Sequence, residues 1–397
     1  MTLGENPPAA PSLAPIRLKI ARRSAHPWIF QKMVEKPASR PPSGSVVEIL
    51  DRDGQWVGRG FYNGHSRIAL RVLTTEPAEA IDAAFFTRRI ARAVTLRREQ
   101  LGLDHVTDAY RLVHAEGDGL SGLVVDRFGP ILVLEFFAAG MYRFRQTIQD
   151  ALSVHYPDSR FYWFAEEHVQ KQESFDCRSP KPPSPEIITE HGLRFRVAPG
   201  SKHKTGFFLD QRDNRKMLAS FCAGRKVLDL CCNTGGFAVY AKTLGAADEV
   251  IGVDIDEQAI VLAKGNANLN QARIRFVQAD LFAWLREVLP TGQRFDVVVL
   301  DPSKQTRDRE DVGLALKRYL DMNRLALQAV APGGIFLTCS CTGLVSEADF
   351  LETLRRAAWQ AGRTLQVLRI SGAGPDHPFL LHVPEGRYLK AVFCRVE

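Results

Sequence analysis

Long apolar runs are missing from this sequence. No stretch approaches the roughly 18 residues a membrane-spanning helix needs, and the opening MTLGENPPAAPSLAP has neither the basic start nor the apolar centre of a secretory signal. The expected compartment is the cytoplasm, with no membrane partner. There is no CxxC pair, and no histidine stands at a ligand-like distance from a cysteine, which argues against a structural metal. The seven cysteines, at 177, 222, 231, 232, 339, 341 and 394, are odd in number and scattered, so they read as reduced thiols rather than a disulfide framework. Neither GxGxxG nor GK[ST] occurs at a strand-to-helix turn, which disfavours dinucleotide and nucleotide-phosphate ligands.

What is present is a chain of 397 residues, enough for two or three domains, with 45% hydrophobic and 24% charged residues. The formal charge of +7 favours a polyanionic partner. After a Pro-rich leader, residues 1–14, expected to be disordered, SVVEILDRDGQWVGRGFYN and SRIALRVLT alternate apolar and polar residues around Asp53-Gly54 and Asn63-Gly64. We read residues 1–75 as a small β-rich domain. Arg17, Lys19, Arg22 and Arg23, with Trp28 among them, combine phosphate contacts with a stacking surface and are its candidate RNA-binding residues.

Residues 76–195 form a central α+β domain. EAIDAAFFTRRIARAVTLRREQ predicts a helix with Ala83, Phe86, Ile90, Ala93 and Val94 on its apolar face and Arg88 and Arg92 opposite. RLVHAEGDGLSGLVVDRFGPILVLEFF predicts a strand hairpin, and CRSPKPPSP a mobile loop with Cys177 exposed in it. From 196 to 397 the strand-like segments KVLDLCC, EVIGVDID, IRFVQAD, FDVVVLDPS and GGIFLTCSC alternate with helix-length stretches. The fold class is therefore α/β, a parallel doubly wound sheet whose ligands bind at the carboxyl ends of the strands. The closing HPFLLHVPEGRYLKAVFCRVE has no helix between its halves and predicts an antiparallel hairpin at one sheet edge.

In DLCCNTGGFAVYAK, Gly235 and Gly236 allow a ligand close to the backbone. Asp229, Asp254 and Asp280 then close three successive strands, Asp254 placed for ribose hydroxyls and Asp280 for an adenine amino group. A strand-end Asp can simply cap the next helix, but three in order point to an adenosyl ligand without phosphates, S-adenosylmethionine. Here the sequence resembles class I methyltransferases. KTGFFLDQRDNR (204–215), TGGFAVYA, LDPSK (300–304), SCTG and the β-rich leader ending in RVLT narrow this to a resemblance to the ribosomal RNA large subunit methyltransferase I family.

That resemblance implies an N-terminal PUA RNA-binding domain, a central domain with a β-hairpin and a Rossmann-like domain that makes 5-methylcytidine in 23S rRNA, as monomer or homodimer. It extends the cofactor contacts to Lys204, Phe207, Gln211, Arg212, Asn233, Thr234 and Asp301. The family's usual Asp-Pro-Pro-Lys-Phe reads Asp301-Pro302-Ser303-Lys304-Gln305 here, and Cys339 stands where an aromatic is usual.

Carbon 5 of cytosine is a poor nucleophile, so the implied chemistry needs a thiolate that adds to carbon 6, an acid at N3 and an acceptor for the carbon 5 proton. Asp301 is the candidate at N3, and Lys304 orients the phosphate or the base; the proton acceptor is open between Asp301 and a water. Cys339 and Cys341 share a face because strand side chains alternate. The family's nucleophile falls seven residues after the second glycine of GG, which from Gly334 is Cys341. Two other readings remain: a base-nitrogen methyltransferase without a covalent intermediate, and an RNA-binding assembly factor.

Overall fold

The computed structural model describes residues 14–22, 24–200 and 207–397; Arg23, Lys204 and nearly all of the leader lie outside the described residues. Strands β1 (Ile16–Arg17), β2 (Trp28–Phe30), β3 (Ser45–Leu50), β4 (Trp56–Tyr62) and β5 (Ile68–Thr74) form a five-stranded sheet of order β1-β3-β4-β5-β2. Its alternation is that of a sheet with one buried face: β3 buries every second residue around Val47 and Ile49.

The helix Ala83–Thr95 starts where Asp82 accepts the Phe85 N–H, a standard N-cap. It buries Phe85, Phe86, Ile90, Ala93 and Val94 and exposes Arg88 and Arg92. Ala83 is exposed, contrary to expectation, because the first turn precedes the packed face; Phe85 takes its place. Strands β6 (Ala109–His114), β7 (Leu123–Phe128), β8 (Ile131–Phe136) and β9 (Arg160–Phe164) follow, with β7 and β8 joined as the expected hairpin and β9 parallel to β8. CRSPKPPSP has no regular structure, but its first residue is 8% exposed: Cys177 packs into the core of this sheet, since an uncharged thiol is a small hydrophobe.

The hairpin β10 (Glu186–Glu190) and β11 (Leu193–Val197) turns at His191 and Gly192, both at positive φ, as a two-residue turn with matching twist requires. Its Ile188, Phe195 and Val197 join Phe128 and Ile131 of the central sheet to Phe207, Val239 and Tyr240 of the last domain in one core.

That domain is a seven-stranded sheet of β12 (Lys226–Leu230), β13 (Glu249–Asp254), β14 (Arg275–Gln278), β15 (Phe295–Leu300), β16 (Val330–Ser340), β17 (Leu365–Ser371) and β18 (Lys390–Val396), in the order β14-β13-β12-β15-β16-β18-β17. The first five run parallel; β18 is antiparallel to both β16 and β17. Strands β12 and β15 are nearly continuous apolar runs because helices cover both faces. The chain winds one way from β12 to β14 and the other from β15 onward, so the switch point lies between β12 and β15. The edge hairpin differs from expectation: β17 pairs with β18, while 377–381 is not a strand. Asp376 holds that stretch back against the central domain instead.

The joint is ionic and buried. Arg97 makes two hydrogen bonds to Asp118 (2.6 and 2.8 Å) and a third to the Asp376 carbonyl (2.8 Å). The Asp376 carboxylate accepts from Arg212 Nη2 (2.6 Å) and from the Arg111 backbone N–H (2.9 Å). Arg97 and Asp376 are fully buried and Arg212 is 1% exposed. Burial opposes ionisation of Asp376, but the His377 ring and the Arg212 guanidinium outweigh it and hold the carboxyl well below the usual range. Asp376→Asn leaves the buried Arg212 guanidinium with a neutral partner in place of a carboxylate, and we expect a loss of about 3–5 kcal/mol in denaturant unfolding. The depressed folded-state value means this contribution is present above about pH 4, the ordinary Asp value, and is lost as pH falls; the variant's stability is accordingly less sensitive to acid.

Candidate active site

The site forms where the switch point opens. After β12 the chain passes through Cys231, Asn233 and Gly235, at φ 60°, 47° and 81°, before the helix Gly236–Lys242 begins. A Cβ on Gly235 would lie 3.1 Å from the Phe276 ring and 3.2 Å from Ala263, so glycine is needed both for its dihedral and for packing beneath the loop. Asp254, at the end of β13, fastens this loop: one carboxylate oxygen accepts the Asn233 N–H (2.8 Å) and the other the Asp256 N–H (2.9 Å). Each oxygen keeps a lone pair for a ligand hydroxyl. Asn233 Oδ1 is buried and has no partner among the described residues, an acceptor waiting for a donor. Thr234 is buried and its carbonyl takes Asn266 Nδ2 (2.9 Å).

The other two strand-end acids do different work. Asp229 is 1% exposed, with one oxygen accepting the Ala238 N–H (3.0 Å) and the other without a described partner. Burial, reinforced by the charges of Asp301 and Asp254 against the Ala238 hydrogen bond, pushes its carboxyl well above the usual range. It supports the loop from below. Asp280 caps the helix Leu281–Val288 through Oδ1, bonded to the N–H groups of Phe282 and Ala283 (3.0 and 3.1 Å); as an exposed residue it keeps Oδ2 available.

Of the segment before β12, Phe207 is buried against Phe195, with the Arg215 guanidinium 4.4 Å from its ring centre. Gln211 is 3% exposed and donates to Asp301 Oδ2 (3.0 Å). Arg212 is turned away into Asp376, so it positions Gln211 and presents no donor to a ligand.

Asp301 closes β15 and Cys341 follows β16, its neighbour. The half-buried Cys341 Sγ lies 3.9 Å from the Pro302 carbonyl, whereas Cys339 is fully buried. Burial, then the charge of Asp210, pushes Asp301 up to about 7, against the pull of Gln211 and Arg215. Burial, then Asp301 and Asp210, pushes the Cys341 thiol up to about 12, while the exposed Lys304 ammonium pulls it back. Cys339 is driven well above the usual thiol range, chiefly by burial.

Several contributors escaped the sequence reading. Thr342 Oγ1 accepts the Gln305 N–H (3.0 Å) and meets the Tyr319 hydroxyl (2.8 Å), which locks the Cys341 loop to the Asp301 loop. Lys390, 2% exposed, donates to the carbonyls of Thr342 and Tyr388 (both 2.8 Å), and burial pulls its ammonium down to about 8. A lysine inside the apolar run YLKAVF was the available signal. Asp210, beside Gln211, accepts the Tyr388 hydroxyl (2.5 Å).

Of the expected RNA contacts, Arg17 and Lys19 are exposed on and beside β1. Arg22 is half-buried, bonded to the carbonyls of Ser24 and His26 (2.9 and 3.1 Å), and lines a groove of about 460 Å3 that also carries Arg89 and Arg92. Trp28 is half-buried and not an open stacking surface: the Arg71 guanidinium lies 5.8 Å from its ring centre, and its indole N–H donates to Glu116 (2.8 Å), joining the first sheet to the central domain.

A family model of PUA-like domains matches residues 19–75, and one of S-adenosylmethionine-dependent methyltransferases matches residues 154–381. Among curated relatives, the ribosomal RNA large subunit methyltransferase I of Aeromonas hydrophila is 40% identical over 379 residues, 93% of this chain and 95% of that protein. That of Escherichia coli O1:K1 is 38% identical, covering 94% of this chain and 95% of its own. A solved methyltransferase complexed with SAH superposes with a TM-score of 0.80 at 20% identity, covering 94% of this chain and 96% of the other. A SAM-dependent methyltransferase from Streptococcus mutans gives 0.76 at 19%, covering 90% and 93%. These two likenesses establish the fold. The loop with its orphaned Asn233 acceptor and the Asp254 carboxylate suits an adenosyl ligand that brings its own hydroxyl and amine donors. With relatives this similar over nearly its whole length, the chain belongs to the ribosomal RNA large subunit methyltransferase I family and is an S-adenosylmethionine-dependent methyltransferase with an N-terminal PUA-like domain.

Proposed function

We propose that this enzyme methylates carbon 5 of a cytidine in large-subunit (23S) ribosomal RNA, with Cys341 as the nucleophile. The observation that carries the reading is a half-buried thiol, Cys341, and a half-buried carboxyl, Asp301, on adjacent strand ends beside the cofactor loop. A base-nitrogen methyltransferase has no use for a thiol there. The relatives' names supply the RNA, and the positive formal charge and the exposed Arg17 and Lys19 agree with it.

When bound, S-adenosylmethionine supplies an electrophilic methyl group. Asn233 and Asp254 would hold its adenosyl part, and the Oδ2 atom of Asp280, not used in capping its helix, would join them. Cys341 Sγ adds to carbon 6 of the cytosine, Asp301 holds a proton at N3, and the Lys304 charge eases ionisation of the thiol. The target base must leave its stack to reach strand ends at the bottom of a cleft. Gln211 and Thr342 keep Asp301 and Cys341 in register, so a small displacement of either loop is resisted.

Cys341→Ala should abolish tritium release from RNA labelled at cytidine carbon 5, whereas Cys339→Ala, whose thiol is buried one pleat deeper, should keep at least about half of the activity. Retained release by Cys341→Ala would rule out the covalent mechanism. Attack requires a thiolate with a proton donor at N3. That state has the same proton count as ionised Asp301 beside neutral Cys341, the form the free site holds between about 7 and about 12. We therefore expect kcat/KM to rise about tenfold per pH unit up to about 7 and to stay level above it. A profile that falls as pH rises through 7 contradicts this assignment.

A further inference from the structure

The reaction needs a group to remove the proton from carbon 5, and Asp301 is badly placed for it. A carboxyl that bonds N3 lies in the plane of the ring, whereas the proton on tetrahedral carbon 5 leaves perpendicular to that plane. Another carboxylate stands next to it. Asp210 is half-buried in the short turn Leu209–Gln211, directly before Gln211, whose side chain bonds Asp301. The Tyr388 hydroxyl clamps its Oδ2 at 2.5 Å, and its carbonyl accepts the Gly374 N–H at 3.0 Å. Asp210 is near enough for its charge to raise both Asp301 and Cys341.

Asp210 also faces a space suited to a base. Between the central sheet and the methyltransferase domain lies a cavity of about 90 Å3 bordered by Phe164 and Phe208, with Arg111, Asp126, Glu135, Asp210 and His377 as its polar lining. Phe208 is 51% exposed, so its ring is open to a ligand from outside. His377 is 5% exposed, and its Nδ1, 3.3 Å from the Asp376 carboxylate but out of line, has no hydrogen-bond partner among the described residues. Aromatic faces with a few polar atoms between them are how proteins hold an unstacked base.

We propose that Asp210, oriented by Tyr388, is the acceptor of the carbon 5 proton, and that the cytosine enters past this cavity to reach Asp301 and Cys341, which lie beyond its lining. The assignment rests on the carbon 5 reading above. Once carbon 5 carries its methyl group, its C–H bond breaks and the proton passes to the Asp210 carboxylate. The released electron pair forms the C5–C6 double bond, the C6–S bond breaks, and its electrons return to Cys341 as a thiolate. The N3 proton returns to Asp301, so atoms and charge balance without any further reactant.

Asp210→Asn keeps the shape and the Tyr388 contact but cannot take a proton. Incubated with methyl-labelled S-adenosylmethionine and unmodified 23S rRNA transcript, it should accumulate a labelled protein–RNA complex on denaturing gels. Product release should be slower by at least about a hundredfold, the scale of a lost general base. Asp210→Glu should restore part of the release, and adding Cys341→Ala should remove the complex. Release by Asp210→Asn within about threefold of the unsubstituted enzyme overturns the assignment. So does a complex that accumulates with His377→Ala and not with Asp210→Asn, or a variant that binds S-adenosylmethionine yet forms no complex. The underlying reading is tested separately: if the unsubstituted enzyme forms no Cys341-dependent complex with 5-fluorocytidine-substituted transcript, it is the carbon 5 chemistry that fails.

Discussion

The buried carboxylate of Asp376 is the constraint on which the functional architecture depends. It is held by Arg212 of the methyltransferase domain and by the Arg111 N–H of the central sheet, and its carbonyl by Arg97, itself fixed to Asp118. Two ion pairs, Arg97–Asp118 and Arg212–Asp376, are tied together through the Asp376 backbone carbonyl, and slippage would leave a buried ion without its partner. The segment that follows inherits this position. It carries His377 to the interdomain cavity, then Tyr388 to Asp210 in the turn before β12 and Lys390 to the loop after β16. Gly117 shows how tight the closure is: a Cβ there would lie 2.0 Å from the Pro378 carbonyl oxygen.

Downstream of that joint, the site is governed by an excess of carboxylates. Asp210, Asp229, Asp254 and Asp301 lie close enough to raise one another or the thiols among them, and burial adds to the effect. A field of this sign favours a cationic ligand and resists ionisation of the cysteines. Cys222, Cys231, Cys232, Cys339 and Cys394 all have raised thiol values, as packed thiols do. Cys341 is raised too, but it alone among these has a nearby ammonium, Lys304, among the groups that pull it back. The same acidity that suits the cofactor thus calls for a local cation at the proposed nucleophile.

Legibility from sequence followed the range of the interaction. The helix at 83–95, the hairpin of β7 and β8, and the alternation of strands and helices after 226 are written in apolar periodicity, which is local. Motif spacing likewise placed Asp254, Asp301 and Cys341 at strand ends, since strand side chains and strand ends recur at known intervals. Side-chain partners were not legible. Trp28, with basic residues as sequence neighbours, looked like a stacking surface until Glu116, 88 residues away, took its N–H. Arg212, in a motif rich in ligand-binding residue types, pairs with Asp376 across 164 residues. Cys177 looked exposed because proline-rich loops are usually solvated, yet its own side chain is small and apolar enough to be drawn inward.

The sequence by itself determined the doubly wound fold, the family and the cofactor, because each rests on a pattern within a short window of the chain. Only the tertiary structure decided which acids stay open and which are sealed into the scaffold, because that depends on burial and on donors brought from distant strands. Asp229 and Asp254 close adjacent strands with the same residue type. One is sealed beneath a helix and the other keeps lone pairs at an open loop, a difference set by what packs above each of them. Asp210 and Tyr388, 178 residues apart, meet because β18 returns antiparallel beside β16, a pairing that no local pattern encodes.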